Sequence, residues 1–521
     1  MQKESDIIKI QSREYQSNII ETAKLHNTLV VLPTGLGKTL IALYLSIHRI
    51  QKYPGEKVLF LAPTKPLIDQ HIEYFKKNIP ELFAQLEFFT GQVPAEQRMK
   101  LWNQADIIFS TPQCIANDIS RGLYSLSNVS LLVMDEAHRC LKNYDYTKVV
   151  SSYKDNALHP KIIGLTASPG SDSDTVKQIC KHLNIEEIEL RTRDSEDVKP
   201  YLQELEFEKV EVPFPQEFIE IKILLKRIYD SKVEQLKSKN LLFGPVNKIT
   251  LLKTQARLAA QASPGNWNAL TGMSLTAQAI KISHAIELLE TQTLSGLSDY
   301  LQGLVQQAKD KKTKGVQTLV NSGEFQAALL SLKKLLENKV EHPKIEESAV
   351  IIENEFKDNE KCKIIVFTQF RETAQNISNR LNQNTKIKSS IFIGQAKKKD
   401  IGLSQKEQKE IIQKFRTGEI NVLVATSIGE EGLDIPEVNA VIFYEPIPSA
   451  IRKIQRAGRT ARLAKGKLFI LVTKDTRDEI NHYASSAREK KMHVTISKIK
   501  QDMKNDKDNN SKTKTLRDYI K

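Results

Sequence analysis

Short, continuously apolar runs constrain the fold of this 521-residue chain more than any other feature. Each run is followed by a turn and then by a segment with helical spacing. Because a strand with no polar alternation is covered on both faces, the runs predict buried parallel strands in α/β units. They form two sets, so we expect two parallel-sheet lobes: 28–32, 57–62, 106–110, 131–135 and 161–165, then 363–367, 421–425, 440–444 and 467–472.

The middle of the chain has a different pattern. Segments such as PQEFIEIKILLKRIYDSKVEQLKSK and FQAALLSLKKLLENKVE place apolar residues at helical spacing among many lysines. This pattern predicts an all-helical insertion between the lobes. We therefore expect four regions: lobe 1 (1–204), the insertion (205–340), lobe 2 (341–500) and a flexible tail (501–521).

Composition limits the class of protein. The net charge of +14 favours a polyanionic partner, nucleic acid before an anionic membrane, although solubility alone could account for it. The four cysteines are scattered without CxxC spacing, so zinc-site and disulfide frameworks are not predicted. The N-terminus is too charged for a signal peptide and no run is long enough to span a bilayer. We expect a cytoplasmic protein that does not enter a membrane.

The stretch VLPTGLGKTL (31–40) has the composition of a nucleotide-phosphate loop. Gly35 and Gly37 allow backbone N–H groups to converge on phosphates, Lys38 supplies positive charge, and the Thr39 hydroxyl can reach Mg²⁺. The loop lies between a predicted strand and a predicted helix, as such loops require. Leu32 stands where the first glycine of the common pattern falls.

A pair of carboxylates, Asp135 and Glu136, follows the apolar run in LLVMDEAH (131–138). Ligands of open α/β sheets bind beyond the carboxyl ends of the strands. One carboxylate can hold Mg²⁺ through water while its neighbour orients or deprotonates an attacking water. The pair and the phosphate loop together predict an ATPase in lobe 1.

In lobe 2, QRAGRTAR (455–462) repeats arginine every third residue, which aligns one cationic face on a helix. That face could be solvated or could bind a nucleic-acid backbone. A third interpretation fits the lobe-1 ATPase: arginines from a facing lobe stabilise the leaving phosphoryl when the cleft closes, an effect worth about 10³–10⁵ in rate.

Taken together, these stretches resemble the superfamily 2 helicases with a DEAH-type signature, whose two lobes are RecA-like. Further stretches carry the resemblance: REYQ (13–16), APTKPL (62–67), STPQ (110–113), TAS (166–168), IVFTQFR (365–371) and ATSIGEEGLDIP (425–436). The resemblance implies an adenine contact from Gln16 and phosphate-loop contacts that include Pro33 and Thr34. It implies that Gly432, Asp434, Gln455, Arg459 and Arg462 face the nucleotide, and that Thr166 and Ser168 couple the lobes. It also implies nucleic-acid contacts from Thr64, Lys65, Thr111, Thr368, Arg371 and Thr426.

Residues 394–462 are most similar to the family of the archaeal Hef helicase and the eukaryotic Fanconi anaemia M translocase. In that family the helical insertion is thumb-like and favours forked and branched DNA. Members often carry an XPF-like nuclease after the helicase, and its G-D-x-x-E-R-K core is not found in these 521 residues. On this resemblance Lys309, Lys311 and Lys312 of the insertion are candidate DNA contacts, although such lysines could equally line a solvated helix.

The last residues, KTKTLRDYIK (512–521), resemble the archaeal clamp-binding peptide. Such a peptide fills a hydrophobic pocket with a small apolar side chain and an aromatic one. Leu516, Tyr519 and Ile520 would supply these side chains, and Thr513 stands where the usual leading glutamine falls. A tail with a chance apolar patch remains the alternative.

The sequence thus predicts an ATP- and Mg²⁺-dependent motor that unwinds or remodels forked and branched DNA. A double-stranded RNA translocase is one alternative, because strand type is read through the 2′-OH and no motif here exposes that choice. A nucleic-acid-anchored scaffold is the other. Its ATPase would act as a switch, and it would recruit a separate structure-specific nuclease or a sliding clamp.

Overall fold

The computed structural model describes residues 4–141, 144–263, 265–394, 402–426, 435–447, 449, 460 and 465–518, with residues 5, 504 and 506–518 as backbone only. Within these residues, two parallel sheets are separated along the chain by a bundle of helices. This arrangement confirms the predicted α/β fold with a helical insertion. The described part contains no helix that is both long and apolar enough to cross a membrane.

Lobe 1 is a seven-stranded parallel sheet with helices on both faces. Its strands are β1 (Thr28–Val31), β2 (Lys57–Leu61), β3 (Leu86–Phe89), β4 (Ile107–Ser110), β5 (Val129–Met134), β6 (Ile162–Thr166) and β7 (Glu187–Leu190), in the order β3-β4-β2-β5-β6-β1-β7. Its helices are α1 (Glu4–Ile7), α2 (Glu14–Leu25), α3 (Lys38–Lys52), α4 (Lys65–Asn78), α5 (Ala95–Gln104), α6 (Pro112–Ser120), α7 (Asp145–Asn156) and α8 (Ser173–His182). One face packs against α2, α3 and α4, and the other against α5 to α8.

Lobe 2 is a six-stranded parallel sheet, and its first strand corrects a predicted boundary. Strand β8 (Leu205–Val212) pairs in parallel with the last strand of this lobe, although residues 205–340 were expected to be all helical. β8 lies at the sheet edge, and its sequence LEFEKVEV mixes polar with apolar residues, so it lacks a continuous apolar run. The other strands are β9 (Ile364–Phe367), β10 (Ser389–Phe392), β11 (Val422–Ala425), β12 (Ala440–Phe443) and β13 (Gly466–Thr473), in the order β10-β11-β9-β12-β13-β8.

The insertion therefore begins after β8. It consists of α9 (Gln216–Ser238), α10 (Lys248–Ala260), α11 (Trp267–Thr291), α12 (Leu294–Lys309), α13 (Lys314–Val320) and α14 (Gly323–Glu337). Helices α15 (Lys344–Asp358), α16 (Arg371–Leu381) and α17 (Gln405–Thr417) then belong to lobe 2. The insertion has two apolar cores. The larger joins α9, the second half of α11 and α12 to α14, and the smaller joins the end of α9, α10 and the first half of α11.

A buried polar joint fixes one end of the insertion to lobe 2. Lys344 at the start of α15 pairs with Asp478 at 2.6 Å, and its Nζ also donates to the Thr291 carbonyl at the end of α11, 2.8 Å away. Both charged side chains are fully enclosed. Arg477, next to Asp478, donates to the Ser283 carbonyl of α11 at 2.8 Å. These buried polar contacts therefore join the insertion to lobe 2.

The last helix, α18 (Arg477–Asp518), connects lobe 2 to lobe 1. It starts in the buried joint, and its Met492, Ile496 and Ile499 are buried in a core of lobe 1. The range 341–500 is therefore not a self-contained unit. The prediction of a flexible tail from 501 is also wrong, because the backbone stays helical to Asp518. Residues 477–518 contain neither glycine nor proline, so nothing in them interrupts a helix.

Candidate functional site

Five predicted motifs meet at one edge of the lobe-1 sheet. The phosphate loop follows β1, residues 62–65 follow β2, Thr111 follows β4, Asp135 follows β5 and 167–168 follow β6. These strands are neighbours in the sheet and all run in parallel. The topology therefore brings together residues that are far apart in sequence at the edge where α/β proteins bind ligands.

The phosphate loop has the backbone that its glycines allow. Gly35 and Gly37 have φ angles of 88° and 77°, in the left-handed region that disfavours side chains. A Cβ at Gly37 would also lie 2.3 Å from Gln16 Nε2. Lys38 opens α3, and its Nζ donates to the Leu32 carbonyl at 2.8 Å. The N-terminus of α3, the glycine turn and this amine form a cationic cradle suited to phosphate.

Gln16 is buried against the phosphate loop. Its Nε2 donates to the Leu36 carbonyl at 3.0 Å, and its Oε1 accepts from the Arg13 backbone N–H at 2.9 Å. The Tyr15 hydroxyl donates to the same Leu36 carbonyl at 2.9 Å. The described conformation therefore uses Gln16 to brace the loop, and its predicted adenine contact stays a prediction.

Asp135 and Thr39 are connected through a histidine that sequence analysis did not single out. His71 of α4 places Nε2 2.9 Å from Asp135 Oδ2 and Nδ1 3.4 Å from Thr39 Oγ1. Its ring packs on Phe60 with centroids 4.6 Å apart. Three oxygen- or nitrogen-bearing groups thus converge beside the phosphate loop, and His71 fixes the direction of the Asp135 carboxylate.

The electrostatics of this group suit a divalent cation. Burial alone would raise the pKa of Asp135, but His71 and the Lys38 charge hold it below its ordinary value. Asp135 is therefore ionised at neutral pH. An anionic carboxylate and a hydroxyl beside a phosphate cradle are the hard oxygen donors that Mg²⁺ prefers. Thr39 and Asp135 fit the predicted metal role.

Glu136 has partners different from those of Asp135. Its φ of 50° is left-handed, and its Oε2 lies 3.2 Å from His138 Nδ1 without hydrogen-bond geometry. Asp135, by contrast, meets His71. The two adjacent carboxylates therefore occupy separate environments, as two distinct roles require.

A chain of polar contacts leads from Glu136 toward α18. His138 Nδ1 lies 3.1 Å from Thr166 Oγ1, and this hydroxyl donates to the Ser168 carbonyl at 3.0 Å. Ser168 Oγ in turn donates to Met492 Sδ at 2.6 Å, with both side chains fully buried. The predicted coupling residues Thr166 and Ser168 thus link the acidic pair to the helix that begins in lobe 2.

The predicted lobe-1 contacts for nucleic acid lie at helix starts. Thr64 and Thr111 are the residues before α4 and α6, where backbone N–H groups attract phosphate. The Thr64 hydroxyl is enclosed without a hydrogen-bond partner. Lys65 is half-buried and donates to Gln92 Oε1 at 2.5 Å.

The predicted lobe-2 residues are only partly described. Thr368 is fully buried and its hydroxyl donates to Glu445 Oε2 at 3.3 Å, so its side chain cannot touch nucleic acid in this conformation. Thr426 is buried as well, while Arg371 donates to the Gly394 carbonyl at 3.2 Å. Gly432, Asp434, Gln455, Arg459 and Arg462 lie outside the described residues, as do Tyr519, Ile520 and the side chain of Leu516.

The candidate lysines of the insertion are exposed. Lys309 ends α12, and Lys311 and Lys312 follow in the turn before α13. Lys311 has a φ of 53°. Gly315 of α13 packs against Ser274 of α11, where an added Cβ would lie 2.5 Å from the Ser274 hydroxyl. The lysine cluster therefore adjoins the first half of α11.

Sequence analysis missed His71, His138 and Met492 as parts of this site. His138 could have been found, because it belongs to the same DEAH stretch as the acidic pair. His71 sits within an ordinary amphipathic helix, and Met492 is 324 residues from its partner Ser168. No local pattern in the sequence signals either contact.

Three family descriptions match successive parts of the chain. Residues 13–176 match "DEAD/DEAH box helicase", and residues 344–464 match "Helicase conserved C-terminal domain". Residues 217–342 match "Putative ATP-dependent RNA helicase, helical bundle". The matched ranges correspond to lobe 1, lobe 2 and the insertion.

Known proteins align over nearly the whole chain. The crystal structure of the Hef helicase domain of Pyrococcus furiosus is 42% identical, with a TM-score of 0.71, and the alignment covers 92% of this chain and 100% of that one. A "Putative ATP-dependent RNA helicase" of Methanocaldococcus jannaschii is 38% identical over 93% of this chain and 60% of its own length. The Fanconi anemia group M protein homolog of Mus musculus is 32% identical over 93% of this chain and 26% of its length. The chain thus spans about three fifths or less of these two relatives.

Proposed function

Because this chain belongs to the DEAD/DEAH-box helicases of superfamily 2, with the Hef helicase domain as a structural neighbour, we propose that it is an ATP-driven motor that unwinds or remodels forked and branched DNA. Stalled replication forks and junctions are the substrates that such an activity would serve. Relatives named as DNA helicases support DNA: the ATP-dependent DNA helicase mph1 of Neurospora crassa is 34% identical over 90% of this chain and 41% of its own length.

One observation carries the proposal: the acidic pair is connected by contacts to the insertion. From Glu136 the path runs through His138, Thr166 and Ser168 to Met492 on α18. Helix α18 begins in the buried joint that holds the insertion on lobe 2. A change at the nucleotide edge therefore has a packed route to the domain proposed to contact the branch, as a motor requires.

Each site residue has a role that its surroundings support. Lys38 would bind the phosphates of ATP, and Thr39 and Asp135 would hold Mg²⁺, which supplies charge neutralisation for phosphoryl transfer when bound. Glu136, whose carboxylate lies beside His138 and not beside His71, would orient the attacking water. Gln16 would contact adenine.

The proposal extends to lobe 2 and the tail by resemblance. Gly432, Asp434, Gln455, Arg459 and Arg462 would complete the nucleotide site when the lobes close. Arg371 and the lobe-1 threonines would contact the DNA backbone. A clamp contact by the tail and a separate nuclease partner remain predictions of the sequence.

A double-stranded RNA translocase is the second candidate, since the helical-bundle match and the Methanocaldococcus jannaschii relative both carry RNA helicase in their names. Comparing DNA and RNA versions of the same fork distinguishes the two. Stronger stimulation of ATP hydrolysis by duplex RNA than by forked DNA would favour the RNA activity.

Two substitutions test the nucleotide site. Lys38→Ala should abolish ATP hydrolysis, because it removes the cation of the phosphate cradle. Glu136→Gln should retain ATP binding, measured with a fluorescent analogue, but lose hydrolysis by at least 10²-fold, the scale of losing a positioned catalytic group. Near-normal turnover in Lys38→Ala would refute the assignment.

A further inference from the structure

The turn after α9, helix α10 and the start of α11 expose several large apolar side chains. We define the tip as residues 241–270, which comprise the turn after α9, helix α10 and the start of α11. Five of its side chains are exposed: Phe243 (60%), Ile249 (64%), Leu252 (48%), Trp267 (76%) and Leu270 (42%). Large apolar side chains exposed in one segment of a folded protein indicate a candidate interaction site.

Packing of α10 explains why this surface is left over. Its inner side, with Leu251, Thr254 and Leu258, is buried against neighbouring helices of the insertion. Gly272 of α11 permits the close approach, since an added Cβ would lie 2.9 Å from Leu258 Cδ1. Ile249 and Leu252 lie three residues apart on the outer side. Helix α10 is thus apolar on two sides, although packing within the insertion uses only its inner side.

Charge indicates what the outer surface binds. Residues 235–286 contain no aspartate or glutamate, and they contain six cationic residues: Lys237, Lys239, Lys248, Lys253, Arg257 and Lys281. The guanidinium of Arg257 lies over the Phe243 ring, 5.2 Å from its centroid. The lysine cluster at 309–312 adjoins the same half of α11 through Gly315 and Ser274. This complementarity favours a polyanion that also offers flat apolar groups.

We propose that the tip binds the unpaired bases of a single-stranded DNA arm, with Trp267 and Phe243 as stacking platforms and the surrounding lysines on the backbone. Aromatic stacking with cationic backbone contacts is the usual chemistry of single-strand binding without sequence preference. The inference rests on the proposed DNA motor and deepens it. The insertion would hold a separated strand at a branch, while the lobes act on the duplex.

Trp267 is itself the probe. The chain has two tryptophans, and Trp102 is buried and stacked on Tyr124 with centroids 3.9 Å apart. Trp102→Phe in the full chain therefore leaves Trp267 as the sole indole. Titration with a fork that has unpaired thymidine arms should quench its emission, and a blunt duplex of equal length should not. Equal quenching by the blunt duplex, or no quenching by either, would overturn the proposal.

Substitutions give an independent test. Trp267→Ala and Phe243→Ala should each weaken binding to the single-stranded arm by about 5- to 50-fold, on the scale of lost base stacking. Tyr483→Ala, at an exposed aromatic on α18, should leave binding unchanged and serves as the matched control. Unchanged binding in both tip variants would overturn the proposal. So would sedimentation that shows Trp267-dependent self-association without DNA, because the tip would then bind a second copy.

The outcomes separate this inference from the proposed function. ATP hydrolysis by the unsubstituted chain, stimulated by forked DNA, tests the motor alone. If that stimulation is present and Trp267 does not respond to single-stranded arms, only the role of the tip fails. If stimulation is absent with every DNA, the motor itself fails.

Discussion

The joint and the tip of the insertion differ in which groups they bury and which they expose. At the joint, Lys344 and Asp478 are fully buried and paired, and Lys344 also satisfies the Thr291 carbonyl. At the tip, Trp267 and Phe243 are mostly exposed and acidic residues are missing from 235–286. The joint holds the insertion on lobe 2, and the tip is the surface that we propose binds a single-stranded arm.

The largest expected effect comes from breaking the joint. Lys344→Ala leaves the Asp478 carboxylate buried without its partner, and we expect a loss of about 3–5 kcal/mol in the free energy of unfolding. Urea unfolding monitored by circular dichroism measures it.

A double variant checks the cause of that loss. Lys344→Met combined with Asp478→Leu removes both charges, so it should recover a large part of the stability lost by Lys344→Ala. If the losses of stability from the two substitutions simply add in the double variant, the pair does not act as a unit.

Packing within the insertion should give a smaller effect, with opposite signs at two glycines. Gly303 of α12 has open space where a Cβ would be, so Gly303→Ala should stabilise by about 0.5–1 kcal/mol through helix propensity. At Gly272 the added methyl would lie 2.7 Å from Leu241 Cδ1. Gly272→Ala should therefore lower the free energy of unfolding by about 1 kcal/mol, because residue 272 and Leu241 would have to move apart.

Hydrogen exchange localises the glycine effect. Faster amide exchange confined to α10 and the first half of α11 in Gly272→Ala would agree with the close approach of these helices. Equal stabilisation by both substitutions would contradict it.

Glu287 should give an effect that is seen only as pH dependence. Its carboxylate lies 3.1 Å from Lys248 at the start of α10 and 3.9 Å from Arg477 in the joint, so it links α10 to the joint. Burial alone would raise its pKa, but a hydrogen bond with His284 and the charges of Lys248 and Arg477 lower it to about 2. A depressed carboxyl pKa contributes stability above the ordinary value of 4.5, and that contribution is lost as the pH falls from 4.5 to about 2.

Replacing Glu287 isolates its contribution from the other carboxylates. Glu287→Gln should flatten the loss of stability between pH 4.5 and 2 relative to the unsubstituted chain. Glu217→Gln, at an exposed carboxylate of α9, should leave the slope unchanged. Identical slopes for all three proteins would contradict the bridge.

How much of the fold the sequence predicts depends on where each strand lies. The nine predicted apolar runs all became strands, and the four missed strands, β3, β7, β8 and β10, are the four sheet edges. Edge strands have one side open to solvent, so β8 reads LEFEKVEV and carries no continuous apolar run. A search for buried strands therefore finds the middle of each sheet and misses its borders.

The same reasoning explains which residues of the site could be predicted from the sequence. Lys38, Thr39, Asp135 and Glu136 were predicted because their chemistry depends on short spacings next to strand ends. His71 and Met492 act through contacts made across the fold, with Asp135 64 residues from His71 and Ser168 324 residues from Met492. The boundary at 204 failed for a related reason: β8 pairs with β13, which lies more than 250 residues later in the chain.

The most direct test of the account measures ATP hydrolysis and strand displacement together. Single strands, blunt duplex, fork and four-way junction are compared at two salt concentrations, in DNA and RNA, with Glu136→Gln as the blank. The account predicts that forked or junction DNA stimulates both activities most. It also predicts that Trp267→Ala reduces strand displacement on forks more than it reduces the stimulation of ATP hydrolysis by single strands. Equal activity on blunt duplex and fork, or greater activity on duplex RNA, would contradict it.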